Sequence, residues 1–207
     1  MKKILFHGII LFLGTFFFFA EASNGKAASL LKLGSTGQEV YDVQAKLHRM
    51  GYLHTNPTGF YGPLTERAVK DFQYETRLWA DGIVGISTRN QLGNVEMMAR
   101  VIHGEARGES YGGKVAVAAV ILNRKDSPHF PNTIRDVIFQ RNAFTAVHDG
   151  QYHLTPGNDA YKAAIHALKG HDPTNGSTYY YNPRIATNKW ISTRQTTGEI
   201  GNHVFAQ

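Results

Sequence analysis

The pattern G-x-x-G-x-x-T occurs twice, 23 residues apart, at Gly59, Gly62, Thr65 and at Gly82, Gly85, Thr88. Two glycines three apart permit a tight turn at positive φ, and a threonine suits the start of a following helix. The first copy leads into Glu66–Gln73, where Ala68, Val69 and Phe72 share one helical stripe. The second leads into Arg89–Leu92. An earlier helix is marked by Val40, Val43, Leu47 and Met50 and ended by Gly51. Three short helices joined by glycine turns predict a compact all-α module over residues 30–93. Gly93 and Asn94 then punctuate the chain and a new helical pattern begins at Val95, so a second unit over 95–207 is expected after a very short linker.

The first residues read as a targeting segment rather than as fold. Lys2 and Lys3 precede a 16-residue apolar run, Ile4 to Phe19, and Ala20-Glu21-Ala22 supplies small residues for a signal peptidase. Residues 1–22 are therefore expected to be a signal peptide. The other reading is an uncleaved anchor, but the run falls short of the roughly 20 residues that span a bilayer. Without residues 1–22 the formal charge falls from +6 to +5, through loss of Lys2, Lys3 and Glu21. A basic exported chain suits anionic wall polymer or acidic lipid. Nucleic acid is not expected as a partner, because no Lys/Arg block appears. The absence of cysteine excludes disulfides, thiolate nucleophiles and Cys-based zinc sites.

Leu33-Gly34-Ser35-Thr36-Gly37-Gln38-Glu39-Val40, Gln44, Leu47, Gly51-Tyr52-Leu53, Gly59 to Thr65 and Phe72-Gln73 together resemble the peptidoglycan-binding domain of wall hydrolases. That resemblance implies binding of glycan or stem peptide, through a groove near Gly59, Tyr61, Gly62 and Thr65.

Beyond the boundary, Met98, Val101, Ile102 and Glu105 stand at i, i+3, i+4 and i+7, on one helical face. A carboxylate on an apolar stripe is costly unless paired, protonated or functional. Desolvation would raise its pKa, and Glu109 would add like-charge repulsion. A glutamate so perturbed can act as a general acid near neutral pH. A buried salt bridge to Arg100 or Arg107 is the competing reading, and spacing alone leaves both standing. Next, Lys114 to Asn123 is apolar all round, as a central buried helix should be.

Ala99 to Glu109, followed by Gly112 to Arg124, resembles the SleB-type spore-cortex-lytic enzymes. The likeness continues through Phe130-Pro131-Asn132-Thr133, Gly170-His171-Asp172-Pro173-Thr174, Tyr179-Tyr180-Tyr181-Asn182-Pro183, Trp190-Ile191 and Ile200 to Phe205. It implies a mainly α protein with a small β region, in which a lysozyme-like α+β catalytic domain follows the three-helix module. It also implies cleavage of the MurNAc–GlcNAc bond during germination by a lytic transglycosylase with Glu105 as its acid/base, which yields 1,6-anhydro-MurNAc. The implied partners are cortex peptidoglycan containing muramic lactam and an accessory sporulation membrane protein. The implied location is the cortex and the outer surface of the inner spore membrane. No other acid from residue 94 onward stands out as a second catalytic group, so hydrolysis with such a partner stays open.

In the last third, Ser177–Tyr181 and Trp190–Thr193 are aromatic and β-branched runs that read as strands. Tyr180, Tyr181 and Trp190 are candidates for a sugar-stacking wall, with plain core packing as the other reading of each, and Glu109, Asn123, Asn182 and His203 are further substrate-binding candidates. Ten histidines raise the alternative of a zinc amidase or endopeptidase, but no H-E-x-x-H occurs. No metal ligand and no cofactor is expected. A non-catalytic wall-binding protein is the other alternative, and it would have no need of Glu105.

Overall fold

The computed structural model describes residues 29–207, so the expected signal segment lies outside the described residues. Helices α1 (Gln38–Arg49) and α2 (Pro63–Glu75) form the first part of the chain with the start of α3 (Ile86–Ala106). The Leu31 and Val84 backbones exchange hydrogen bonds, which closes this part over a core of Val40, Leu47, Tyr61, Val69 and Phe72.

The two glycines of each repeat do different jobs. Gly59 and Gly82 have φ of 76° and 75°, whereas Gly62 and Gly85 are extended and cap the helices that follow. The threonines do not cap. Thr65 and Thr88 lie inside the first turn, buried, and accept hydrogen bonds from Gln44 Nε2 (2.8 Å) and Gln73 Nε2 (3.1 Å). Each buried glutamine also donates to the carbonyl after the first glycine: Gln44 to Phe60 at 2.9 Å, Gln73 to Ile83 at 3.0 Å. The Gly59 and Gly82 N–H groups donate back to the two amide oxygens, each at 2.9 Å. The repeat is thus one device used twice, in which a helix-borne amide satisfies a turn that could not otherwise be buried.

The expected break at Gly93-Asn94 does not occur. Helix α3 runs through both residues without interruption for 21 residues. A lone interior glycine costs a helix only about 1 kcal/mol, and Leu92, Val95, Met98 and Ala99 are all buried on the continuing face. One hydrophobic core therefore extends from Leu31 to Ala167. Glu96 ties the two parts together: its carboxylate meets Arg49 of α1 at 3.4 Å and Arg100 at 3.0 Å, and accepts from Tyr161 Oη at 3.1 Å.

Helix α4 (Tyr111–Asp126) is central, with residues 113–121 all buried. Against it pack α5 (Ile134–Phe139) and α7 (Asn158–Leu168), while the single turn α6 (Thr145–His148) packs on α3. Lys114 of α4 pairs with Asp159 of α7 at 2.6 Å. A three-stranded antiparallel sheet covers one side of α4, in the order β1 (Tyr179–Tyr181), β3 (His203–Ala206), β2 (Thr196–Ile200). Phe205 of the middle strand packs on Ala116 and Val120. Only the first aromatic run is a strand. Trp190 leads into a 3-10 turn, Ile191–Thr193, because the Ser192 and Thr193 hydroxyls donate to the carbonyls of Lys189 and Trp190 and compete with sheet pairing.

Candidate active site

Glu105 stands at the last turn of α3, where the apolar stripe of Met98, Val101 and Ile102 reaches the edge of the core. Its carboxylate does not press into apolar surroundings, as the stripe suggests. It is half-buried at a cleft of about 730 Å³ with both oxygens engaged. Oε1 accepts from the Ala146 backbone N–H at 2.6 Å, and Oε2 accepts from Tyr180 Oη at 2.9 Å. Neither Arg100 nor Arg107 pairs with it; Arg100 is spent on Glu96.

Each donor has a local cause. Ala146 lies in the first turn of α6, where N–H groups have no partner inside the helix and are free to donate outward. Gly104 lets that turn approach α3, since a Cβ there would collide with the Ala146 Cβ. Tyr180 is the middle residue of β1 and pairs with Phe205. Burial first, then the charge of Glu105, raises its hydroxyl well above the ordinary phenol range, so it remains a proton donor.

The cleft wall is aromatic and cationic. Tyr179 and Trp190 meet edge to face at 5.4 Å, and Trp190 is 48% exposed. Arg124, at the end of α4, is buried against the faces of Phe130, Phe144 and Tyr179, at 5.5, 4.9 and 5.9 Å. Its guanidinium donates to the carbonyls of Thr178 (2.7 Å) and Ala143 (3.3 Å). Burial lowers its pKa, against the opposing influence of Tyr180, Tyr179 and Glu105.

The Cell Wall Hydrolase family matches residues 108–206 and a peptidoglycan-binding-domain family matches residues 36–92. A spore cortex-lytic enzyme of Bacillus cereus is 36% identical over 223 residues, covering 86% of each chain. That of Oceanobacillus iheyensis is 32% identical over 256 residues, covering 92% of this chain and 93% of the other. This chain belongs to the spore cortex-lytic enzyme family. The catalytic domain of Bacillus cereus SleB, a solved structure, is 54% identical, with a TM-score of 0.53 over 55% of this chain and 89% of that one. The catalytic domain of the germination-specific lytic transglycosylase SleB of Bacillus anthracis matches with the same identity and TM-score and 93% of its length covered.

In this family member the cleft gathers Glu105, Glu109, Tyr180, Asn182, Trp190 and His203. Glu109 is nonetheless committed to the β2–β3 turn. It accepts from Asn202 N (3.1 Å) and Asn202 Nδ2 (2.9 Å), bonds that draw its pKa down. Gly201 suits the position beneath it, since φ is +61° and a Cβ there would push the Glu109 carboxylate aside. His203 is buried with its ring 5.1 Å from Tyr180, and burial lowers its pKa. Asn182 Oδ1 accepts from the Arg184 N–H and shapes the loop after β1.

Three expected contacts lie elsewhere. Asn123 faces away from Glu105, because the last turn of α4 points it at the 172–178 loop. Its Nδ2 donates to Asp172 Oδ2 (2.9 Å) and the Ser177 carbonyl (3.0 Å). Tyr61 and Thr65 are buried, Tyr61 with its hydroxyl on the Gly82 carbonyl at 2.7 Å, so neither offers a surface to a wall polymer. The large apolar side chains exposed beside this turn are Phe60 and Leu64. Arg124, Tyr179 and Ala146 belong to the cleft without having been singled out by sequence. Gly104 is the available signal for Ala146, a helix-interior glycine directly before the acid.

Proposed function

We propose that this chain is exported and cleaves the MurNAc–GlcNAc bond of spore-cortex peptidoglycan as a lytic transglycosylase, with Glu105 as acid and then base. The observation that supports this most is the two-donor setting of Glu105 in an open, aromatic-walled cleft. The Ala146 N–H can only donate, so the acid form carries its proton on Oε2, where the Tyr180 hydroxyl turns from donor to acceptor. That proton passes to the glycosidic oxygen as the C1–O bond breaks, and the GlcNAc 4-hydroxyl leaves. The carboxylate then takes the proton of the MurNAc C6 hydroxyl as that oxygen bonds to C1. The acid is restored, the 1,6-anhydro ring is closed, and no water is consumed.

Among the described residues lining the cleft, Glu109 is the one other carboxylate, and both of its oxygens are occupied by Asn202. A mechanism needing a single carboxyl group fits that arrangement. The family likeness alone supports muramic-lactam-containing cortex as substrate, an accessory membrane partner, and a location at the cortex and outer face of the inner membrane. The residue 1–22 pattern supports export.

Replacing Glu105 by Gln tests the reading. Turnover of cortex glycan is expected to fall by about 10²–10⁴, the loss typical of a missing general acid, while sedimentation with insoluble peptidoglycan persists. Mass spectrometry of wild-type digests should find ends one water lighter than reducing MurNAc. Reducing ends throughout would replace the transglycosylase with a hydrolase, and near-normal turnover of Glu105→Gln would remove Glu105 from the mechanism.

A further inference from the structure

A second cavity of about 620 Å³ adjoins the Glu105 cleft, and Phe130 and Tyr179, with ring centroids 5.8 Å apart, line both. Arg194 lines this second cavity, and its guanidinium lies over the face of Trp190 with Cζ 4.6 Å from the ring centroid. Trp190 in turn belongs to the wall of the Glu105 cleft. Among the described residues, the Arg194 side chain has no carboxylate partner in ion-pair range, and its Nε is enclosed with no acceptor. Two of the polar groups that line this cavity are already engaged. Asp126 is paired with Lys125, and the Asn123 amide is spent on Asp172 and Ser177. A part-buried guanidinium with unspent donors is costly unless an anion completes it. Its planar fork, held in place by a ring, matches a carboxylate through two parallel hydrogen bonds.

We propose that this second cavity is a subsite for the stem peptide, and that Arg194 binds a carboxylate of that peptide while the glycan lies along the Glu105 cleft. The proposal rests on the reading of this chain as a peptidoglycan glycosidase. Peptidoglycan chemistry gives the occupant. The peptide branches from the lactyl group of MurNAc, off the glycan axis, and the anionic groups of a peptide-bearing strand are the carboxylates of that branch. The ridge of Phe130 and Tyr179 separates two cavities as a branched ligand requires, with one for the chain of sugars and one for the side arm. Arg194 is thus a specificity residue that favours peptide-bearing muramic residues over bare ones.

The test uses the full chain with Arg194→Gln and Arg194→Lys, on glycan strands bearing stem peptides and on the same strands stripped by an amidase and then amidated at the lactyl carboxylate that the amidase exposes. Arg194→Gln should raise KM on peptide-bearing strands about ten- to a hundredfold, the range for a lost hydrogen bond to a charged group. It should leave kcat there, and both constants on stripped strands, unchanged. Strands whose stem carboxyls are amidated should behave like stripped ones. Arg194→Lys keeps the charge without the fork and should recover part of the loss. Equal losses on both substrates would overturn the proposal and make Arg194 a prop for Trp190; no loss on either would overturn it as well. If wild type cleaves neither strand, the glycosidase reading fails, and calorimetric binding of peptide-bearing and peptide-free disaccharides decides the subsite separately. Binding that favours the peptide-bearing ligand only when Arg194 is present supports it, and equal binding overturns it.

Discussion

Replacing Gly104 by Ala adds one methyl group directly behind the acid. A Cβ there collides with the Ala146 Cβ and stands 3.6 Å from the Ala146 Cα and 3.4 Å from the Gln151 Cβ. Carbon atoms settle at about 3.5–4.0 Å, so α6 must retreat from α3 by roughly 1 Å, taking the Ala146 N–H with it. That N–H is 2.6 Å from Glu105 Oε1, and a retreat on this scale carries it beyond hydrogen-bonding distance. The stability change is a difference of two effects. Alanine favours the helix by about 1 kcal/mol, and overpacking costs about 1–3 kcal/mol, so the net loss should be no more than about 2 kcal/mol. Activity should suffer much more, since a misplacement of about 1 Å can cost roughly 10²-fold. Urea unfolding together with turnover of soluble glycan strands separates the two quantities. Wild-type turnover in a folded Gly104→Ala variant would refute the claim that close helix approach positions Glu105.

Three other outcomes follow from the structure. Tyr180→Phe removes the hydroxyl on Glu105 Oε2; kcat should fall about tenfold or more with KM nearly constant, an uncompensated loss of a charge-assisted bond, and steady-state kinetics would show an unchanged kcat if the hydroxyl is idle. Gln44→Ala strands the N–H groups of Thr58 and Gly59 and the hydroxyl of Thr65; denaturant unfolding should register a loss of about 1–3 kcal/mol or more, and a loss below half of that would make the glutamine clamp ornamental. Burial raises the pKa of Asp172, but hydrogen bonds from Thr174, Asn123 and Gly176 outweigh it and leave the carboxyl below its ordinary value. Its folded pKa is the lower one, so its stabilisation is complete above the unfolded value near ~4 and is lost as pH falls through the folded value. Thermal melts of wild type and Asp172→Asn should therefore differ most at neutral pH and converge in acid, and a constant gap would refute the assignment.

The sequence by itself determined the periodic features. The α1 and α2 stripes, the buried run of α4 and the placement of Glu105 at the end of an apolar face follow from side-chain spacing, which a helix converts directly into faces. The doubled glycine motif was legible as two turns, but not the glutamines that hold them. Gln44 lies 15 residues before its glycine and Gln73 only 9, and no local rule links an amide to a turn at such distances. The continuity of α3 through Gly93 was a tertiary decision, because the buried faces of Leu92 and Val95 outweigh the modest cost of one glycine. Trp190 went the other way: its β-forming neighbours were overruled by hydroxyls bonding to nearby carbonyls. The setting of Glu105 was decided entirely in three dimensions. Its partners come from residues 146 and 180, 41 and 75 positions away, so periodicity could place the carboxylate on a face but could not say what would meet it there. A helix face is a property of neighbours in sequence, whereas a catalytic environment is a property of neighbours in space.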